Sequence, residues 1–198
     1  MKIKGIKKME KEKILIDVDD VICEGYFIPL VNEFLGTSYV SSDFDEYYID
    51  DLVFDNEEEK QKFYNFYLTK NGYEYAILKP QAYEVIEELN KKYDVYIFSA
   101  CVDYALPRKS GIFFKNKFNY LIETLPFIDP NKIILTNSKN LITADYQIDD
   151  KITNLEGNIK NKYLFTAKHN EKISDEELIA KHITRVNDWD ELKSILLI

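Results

Sequence analysis

The sequence predicts an α/β protein: a Rossmann-like, mostly parallel sheet with a small, mainly helical segment inserted after the first strand. Three observations carry this. Short apolar runs without alternation recur between amphipathic stretches of helical period, the arrangement expected of parallel strands joined by crossover helices. Several of these runs end in polar residues that a core does not require: Asp17, Ser99 and the Asp149/Asp150 pair. Residues 25–77 interrupt the pattern, and 37–78 differ in character, being acidic and unusually rich in tyrosine and phenylalanine. At 198 residues the chain is long enough for one sizeable core and an insert.

The elements follow in order. The opening "MKIKGIKKMEKEK" reads as a tail ahead of the first strand, with Met9 an alternative start to Met1. It has lysines but no apolar stretch, unlike a secretory signal, and its acidic residues argue against a transit peptide. "ILI" at 14–16 is apolar throughout, as in a strand buried on both faces. "GYFIPLVNEFLG" (25–36) predicts a helix starting near Pro29 and stopping at Gly36. "DNEEEKQKFYNFYL" (55–68) has an acidic first turn and apolar positions 63, 66 and 67, which suits a second helix.

From Pro80 the alternation becomes regular. "PQAYEVIEELNKKY" sets Ala82, Val85, Ile86 and Leu89 on one helical face, and "DVYIFSA" is the strand after it, with Ser99 at its end. Residues 108–123 read as helix, "KIILT" (132–136), "ADYQIDD" (144–150) and "KYLFT" (162–166) as strands, and "DWDELKSILL" (188–197) as a closing helix. In that helix Trp189 shares a side with Leu192, Ile195 and Leu196, which makes it a core residue. Residues 1–24 and 78–198 are thus expected to form the sheet domain, and 25–77 a helical cap or lid. Ligands of such sheets sit beyond the carboxyl ends of the strands. Asp17, Ser99, the loop after Thr136 and Asp149/Asp150 should share that edge.

Composition narrows the function. A net charge of −9 with no basic stripe argues against a nucleic-acid polymer, whose binding needs several cationic contacts. No apolar run approaches the roughly 20 residues that span a bilayer. Cys23 and Cys101 make neither a metal spacing nor a disulfide framework, so a cytoplasmic setting is expected. Two histidines, His169 and His182, do not suggest a histidine-built zinc site.

The carboxylates carry the chemistry. Asp17 and Asp19, two apart on a chain leaving a strand, should point the same way, with Asp150 arriving from a neighbouring strand end. Crowded like charges call for a cation. Three carboxylates with no histidine or thiolate expected nearby form a hard oxygen site suited to magnesium. Ser99 and Lys139 are then explained by a phosphate, whose oxygens a hydroxyl and an ammonium can hold beside the metal. One aspartate can attack phosphorus while another gives and takes the proton.

At this point the sequence resembles a family. "DVDDV" at 17–21, Ser99 ending "VYIFS", Lys139, and "IDD" at 148–150 are similar, in order and position, to the four motifs of the haloacid dehalogenase superfamily. "IILTNSKNLITADYQIDDKITNLEG" and "YLFTAKHN" resemble the 5′(3′)-deoxyribonucleotidase branch. The resemblance implies a Mg2+-dependent phosphomonoesterase acting on nucleoside monophosphates through an aspartyl-phosphate. It makes Asp17 the nucleophile and Asp19 the general acid/base. It assigns the metal to Asp17, the backbone carbonyl of Asp19 and Asp150, supported by Asp149, and the phosphate to Ser99, Lys139 and Lys117. The chain departs from the branch at Asp20 (usually glycine), Ala100 (usually a hydroxyl residue) and Asn137 (often arginine). The base-stacking aromatic after the first motif falls at Gly25 or Tyr26; Tyr26 is the residue expected to stack.

The remaining aromatics of 25–77 are expected to build that segment's own core, His169 to be a satisfied loop histidine, and the cysteines small buried hydrophobes. Other functions compatible with the residues are a phosphatase for another small phosphate ester, a receiver-like phospho-acceptor, or a silent phosphate-binding protein. The expected partner is a small phosphorylated molecule rather than a polymer or a membrane.

Overall fold

The structure, a computed structural model, describes residues 10–197; most of the expected tail, with both candidate starts, lies outside them. The "ILI" run forms β1 (Lys13–Ile16), fully covered on both faces. Ile14 and Ile16 enter the larger core, while Leu15 faces the opposite side with Phe98, Ala144 and Ile159. A strand buried twice has no polar positions to spare, which is why its sequence does not alternate.

Five further strands complete a sheet that is parallel throughout: β4 (Asp94–Ser99), β5 (Ile133–Leu135), β6 (Ala144–Asp149), β7 (Ile159–Phe165) and β8 (Ile183–Val186), in the order β5-β4-β1-β6-β7-β8. β1 sits between β4 and β6, with Ile16 level with Ile97 on one side and Ile148 on the other. The chain runs outward from β1 toward β5 and, in its second half, toward β8. The crevice above β1 is therefore the point where strand order reverses, the place for a ligand in such sheets.

Helices α4 (Ala82–Lys92), α5 (Gly111–Thr124) and α7 (Trp189–Leu196) supply Val85, Ile86, Leu89, Leu121, Trp189 and Leu192 to the larger core. Trp189 is 1% exposed, and its indole N–H donates to Val21 O at 2.9 Å, so it also pins the loop after β1.

Between β1 and α4 lie two-residue strands β2 (Cys23–Glu24) and β3 (Ile77–Leu78), paired antiparallel. They bracket α1 (Ile28–Leu35), α2 (Asp50–Val53) and α3 (Glu57–Tyr67). α1 carries Pro29 in its first turn and ends at Gly36, whose φ of 69° is the left-handed cap that glycine accepts without strain. α3 is capped by Asn56, which accepts from the Glu59 N–H. The aromatic core of this segment is shared: Leu30, Val31, Phe63, Tyr64 and Tyr67 pack with Cys101, Leu106 and Phe113 from the far side of β4.

Besides the short β2, α2 and β3, three elements exceed the sequence expectation. β7 begins at Ile159 rather than 162, because Ile159 through Lys162 pair with β6 despite their lysines. α6 (Asp175–Ala180) and β8 were not anticipated at all. Among the described residues, no helix is long and apolar enough to cross a membrane.

Candidate active site

The ladder places the polar residues. The amide of Asp17 donates to Ile148 O at 3.0 Å, extending β1 pairing by one residue and delivering its carboxyl to the rim beside β6. Ser99 ends β4 on the other flank, wholly buried, and its carbonyl accepts from Thr136 N at 2.9 Å. Asp149 ends β6 and Asp150 follows it. Lys139 comes from a short helical turn (Lys139–Leu141) after β5, and Lys117 from α5. All six are 6% exposed or less, so the site consists of buried charge.

Buried charge has to be paired. Lys139 Nζ lies 2.9 Å from Asp17 Oδ2 and 2.6 Å from Asp149 Oδ2. Lys117 Nζ donates to Asp19 Oδ2 at 2.7 Å, Ser99 Oγ at 2.8 Å and Ala100 O at 2.5 Å. Burial pushes the Asp17 carboxyl up, but Lys139 and Lys117 together outweigh it and hold Asp17 below the usual carboxylate range. Burial likewise works against both ammonium groups, and the aspartates beside them raise each above an ordinary lysine.

Asp149 is saturated: Oδ1 accepts from Asn154 Nδ2 at 2.8 Å and Lys151 N at 3.0 Å, Oδ2 from Lys139. Burial raises it, with Asp17 adding to the effect. Asp150 is also raised, first by burial and then by Asp149 and Asp17, against a hydrogen bond from His169. Its carbonyl accepts from Asn170 Nδ2 at 2.8 Å, and Arg185 holds Asn170 in turn through Nη1 at 3.0 Å. Asp17 Oδ1 is buried without a hydrogen-bond partner, as are Gln147 Oε1, Asn71 Oδ1 and Tyr120 Oη among the described residues.

The expected carboxylate trio is corrected here. Oxygens of Asp17, Asp149 and Asp150 lie within 4.8 Å of one another, and the Asp19 side chain is not among them. The chain does not leave β1 extended. It turns at Val18, whose carbonyl accepts from Ile22 N at 2.8 Å and Cys23 N at 3.1 Å. That turn aims Asp19 at Lys117 and at Tyr73, whose hydroxyl donates to Oδ1 at 2.7 Å. It also needs a left-handed residue, supplied by Asp20 at φ 58°, where glycine is the residue of least strain.

His169 is more than a loop histidine. Its Nε2 lies 3.1 Å from Asp150 Oδ2 and its Nδ1 4.0 Å from Asp20 Oδ2. Burial disfavours the imidazolium, yet Asp150 and Asp20 outweigh it and raise His169 above its ordinary value. Asn137 anchors the loop after β4: its Oδ1 accepts from Cys101 N and Val102 N at 3.1 and 2.8 Å. Tyr26 lines the cavity but stacks on Tyr73 at 5.0 Å, so one face of its ring is taken.

Above the rim opens a cavity of about 670 Å³, in the range of small-molecule sites. Asp17, Asp19, Lys117 and Asp150 form its charged end. Another part of its lining is a wall of aromatic residues, Phe44, Tyr47, Tyr48, Tyr64, Tyr67 and Tyr104. Asp50 is buried in that wall and accepts from Tyr64 Oη at 2.8 Å, from Tyr104 Oη and from Lys60 Nζ at 2.8 Å. Lys151 Nζ lies 3.8 Å above the Tyr47 ring.

The chain is similar to known proteins. A Staphylococcus epidermidis protein provisionally named a 5′(3′)-deoxyribonucleotidase is 29% identical over 189 residues, covering 94% of this chain and 96% of its own. The 5′(3′)-deoxyribonucleotidase of Bacillus subtilis is 35% identical over 113 residues, 57% of this chain and 58% of that protein. A haloacid dehalogenase-like hydrolase structure from Streptococcus pneumoniae superposes with a TM-score of 0.52 at 17% identity, over 93% of this chain and 98% of that one, a likeness of fold. The family profile described as 5′ nucleotidase, deoxy (pyrimidine), cytosolic type C protein matches residues 11–198. The chain belongs to that family of nucleotidases.

Proposed function

We propose that this chain is a phosphomonoesterase that removes phosphate from deoxyribonucleoside or ribonucleoside monophosphates, through an aspartyl-phosphate on Asp17 and with Mg2+ as cofactor. The observation that carries the reading is the unbonded, buried Oδ1 of Asp17, placed at the sheet's reversal point between two lysines and two further carboxylates. A buried carboxylate oxygen left without a partner costs free energy unless something else occupies it. Family membership and the names of the two relatives support nucleotides as the substrate class.

The donor set fits magnesium: it is all-oxygen, Asp17 and Asp150 would offer carboxylates, and saturated Asp149 would orient its neighbours. When bound, the ion neutralises charge on the phosphoryl oxygens and on the clustered carboxylates. Lys139, Lys117 and Ser99 hold the remaining phosphoryl oxygens, and in doing so partly release the ion pairs seen here. The Asp17 carboxylate attacks phosphorus; the new O–P bond forms as the ester P–O bond breaks, and protonated Asp19 gives its proton to the leaving oxygen, freeing the nucleoside. Water then loses a proton to Asp19 and attacks phosphorus, which releases inorganic phosphate and restores the Asp17 carboxylate.

Residues 25–77 act as the cap in this reading, with 1–24 and 78–198 the catalytic unit. Tyr26 and the tyrosines of the aromatic wall offer ring faces to a base. The free thiols Cys23 and Cys101, both buried, suit a cytoplasmic setting.

The test is a phosphate-release panel over nucleoside 5′- and 3′-monophosphates, deoxy and ribo, alongside sugar phosphates, with and without a chelator. Mg2+-dependent release from nucleotides, abolished by Asp17→Asn, is the expected result. Release from sugar phosphates alone would move the substrate class, and no release from any ester would leave a silent phosphate-binding protein.

A further inference from the structure

The proposed acid/base group has a partner that the sequence motifs do not include. Tyr73 stands outside all four motifs, in a short helical turn (Gly72–Tyr75) at the closing end of the inserted segment. Its hydroxyl donates to Asp19 Oδ1 at 2.7 Å, while Lys117 donates to Oδ2 at 2.7 Å. Both oxygens of the carboxyl are therefore held, from two different parts of the chain. When Lys117 turns to a phosphoryl oxygen, the Tyr73 hydroxyl is the hold on the carboxyl that stays in place.

The position of Tyr73 is itself determined. Its ring is 9% exposed and lies between Tyr26, at 5.0 Å and 20°, and Tyr120, at 5.0 Å and 29°. Tyr26 opens the inserted segment, and Tyr120 sits one helical turn beyond Lys117 on α5. Gly72 allows the close approach: a Cβ there would stand 3.3 Å from Tyr26 Cδ2 and 3.3 Å from Leu30 Cδ1. Burial, and then the Asp19 charge, push the Tyr73 phenol well above its ordinary value, so it remains a donor.

We infer that Tyr73 is a positioning residue for Asp19, a phenol carried by the inserted segment that fixes the plane of the acid/base carboxyl in the sheet domain. This rests on the phosphomonoesterase reading above. It joins two events: the proton donor is aligned only while the segment bearing Tyr73 is seated against Tyr26 and Tyr120. The effect belongs to proton transfer rather than to phosphate binding, so it depends on the leaving group. An alkoxide leaving from a nucleotide needs the proton; p-nitrophenolate, a stable anion, departs without it.

The experiment compares Tyr73→Phe with Tyr120→Phe, which removes a hydroxyl from the same stack but none from Asp19. Two esters are used: p-nitrophenyl phosphate, and 2′-deoxyuridine 5′-monophosphate or whichever alkyl ester of the panel is turned over best. Near-UV circular dichroism and thermal midpoints confirm that both variants keep the fold. In Tyr73→Phe, kcat for the alkyl ester should fall about tenfold, the scale of one hydrogen bond to a charged group. Its KM, and kcat for p-nitrophenyl phosphate, should stay within about twofold, and Tyr120→Phe should keep both activities.

Equal loss on both esters, no loss on either, or the same split in Tyr120→Phe overturns the assignment while leaving the phosphatase reading in place. Absence of release by the unsubstituted chain from every ester overturns both.

Discussion

The two walls of the cavity are positioned by different forces. At the charged end, backbone hydrogen bonds do the placing: Ile16 is level with Ile97 and Ile148, and Asp17, Ser99 and Asp149 follow from that register. At the aromatic end, side chains place one another. Tyr47 packs edge-on against Tyr48 and His169, Tyr48 against Tyr104, and Phe63 touches six other rings. A ladder tolerates no small change, since one residue of slip would turn every side chain over. A ring cluster tolerates many substitutions of similar volume.

The sharpest way to break the contrast is at the rim. Asp17→Asn should lower phosphate release on the order of 10⁴-fold or more, in a variant whose circular dichroism is unchanged. Lys139→Met should cost stability as well as activity, because it strands the Asp17 and Asp149 carboxylates in the interior. Breaking such a pair costs about 3–5 kcal/mol, or about 10 °C in melting temperature for a chain of this size. Without divalent cation the deficit should shrink as the pH falls and the stranded carboxylates take up protons.

On the aromatic side the expected effects are smaller. Burial raises the Asp50 carboxyl, but Lys60, Tyr104 and Tyr64 outweigh it and hold it below the ordinary carboxylate range. A depressed carboxyl stabilises the fold above about pH 4 and loses that contribution as the pH falls through its lowered value. Asp50→Asn should lose about 2 kcal/mol at neutral pH, have a shallower acid limb in its stability curve, and raise KM for nucleotides more than it lowers kcat. The mildest change is Lys151→Met, which removes the cation over Tyr47. About 0.5–1 kcal/mol is at stake, a few-fold change in KM. A kcat loss as large as that of the rim variants would erase the distinction between the walls.

The same contrast decides what could be read from the sequence. β1 and β4 were legible because strands buried on both faces leave an unbroken apolar run, and the polar residue ending each run marks the rim; β6 carries Asp145 and Gln147 within it and was placed by the aspartate pair at its end. Lys139 and Lys117 were reached through motif resemblance; Lys117 alone would read as a solvated position on α5, yet it is buried. His169 lies nineteen residues beyond Asp150 across β7, a separation no periodicity reveals. Tyr73 was one of fifteen tyrosines, and nothing in its neighbours marks it. β2 and β3 are too short for any pattern. α6 had a signal that went unused: Ser174 followed three residues later by Glu177, with Ser174 Oγ accepting from the Glu177 N–H. β8, "ITRV", was hidden because Arg185 is spent on Asn170 and Ile173 O rather than on solvent.

The shared aromatic cluster has a bearing on protein engineering. Leu106 and Phe113, which follow β4, are covered by residues of the inserted segment. Excising that segment would strip two large apolar side chains and invite self-association. Grafting in a relative's version would succeed only if stretch 101–113 travelled with it, so the transplantable unit is discontinuous in the chain.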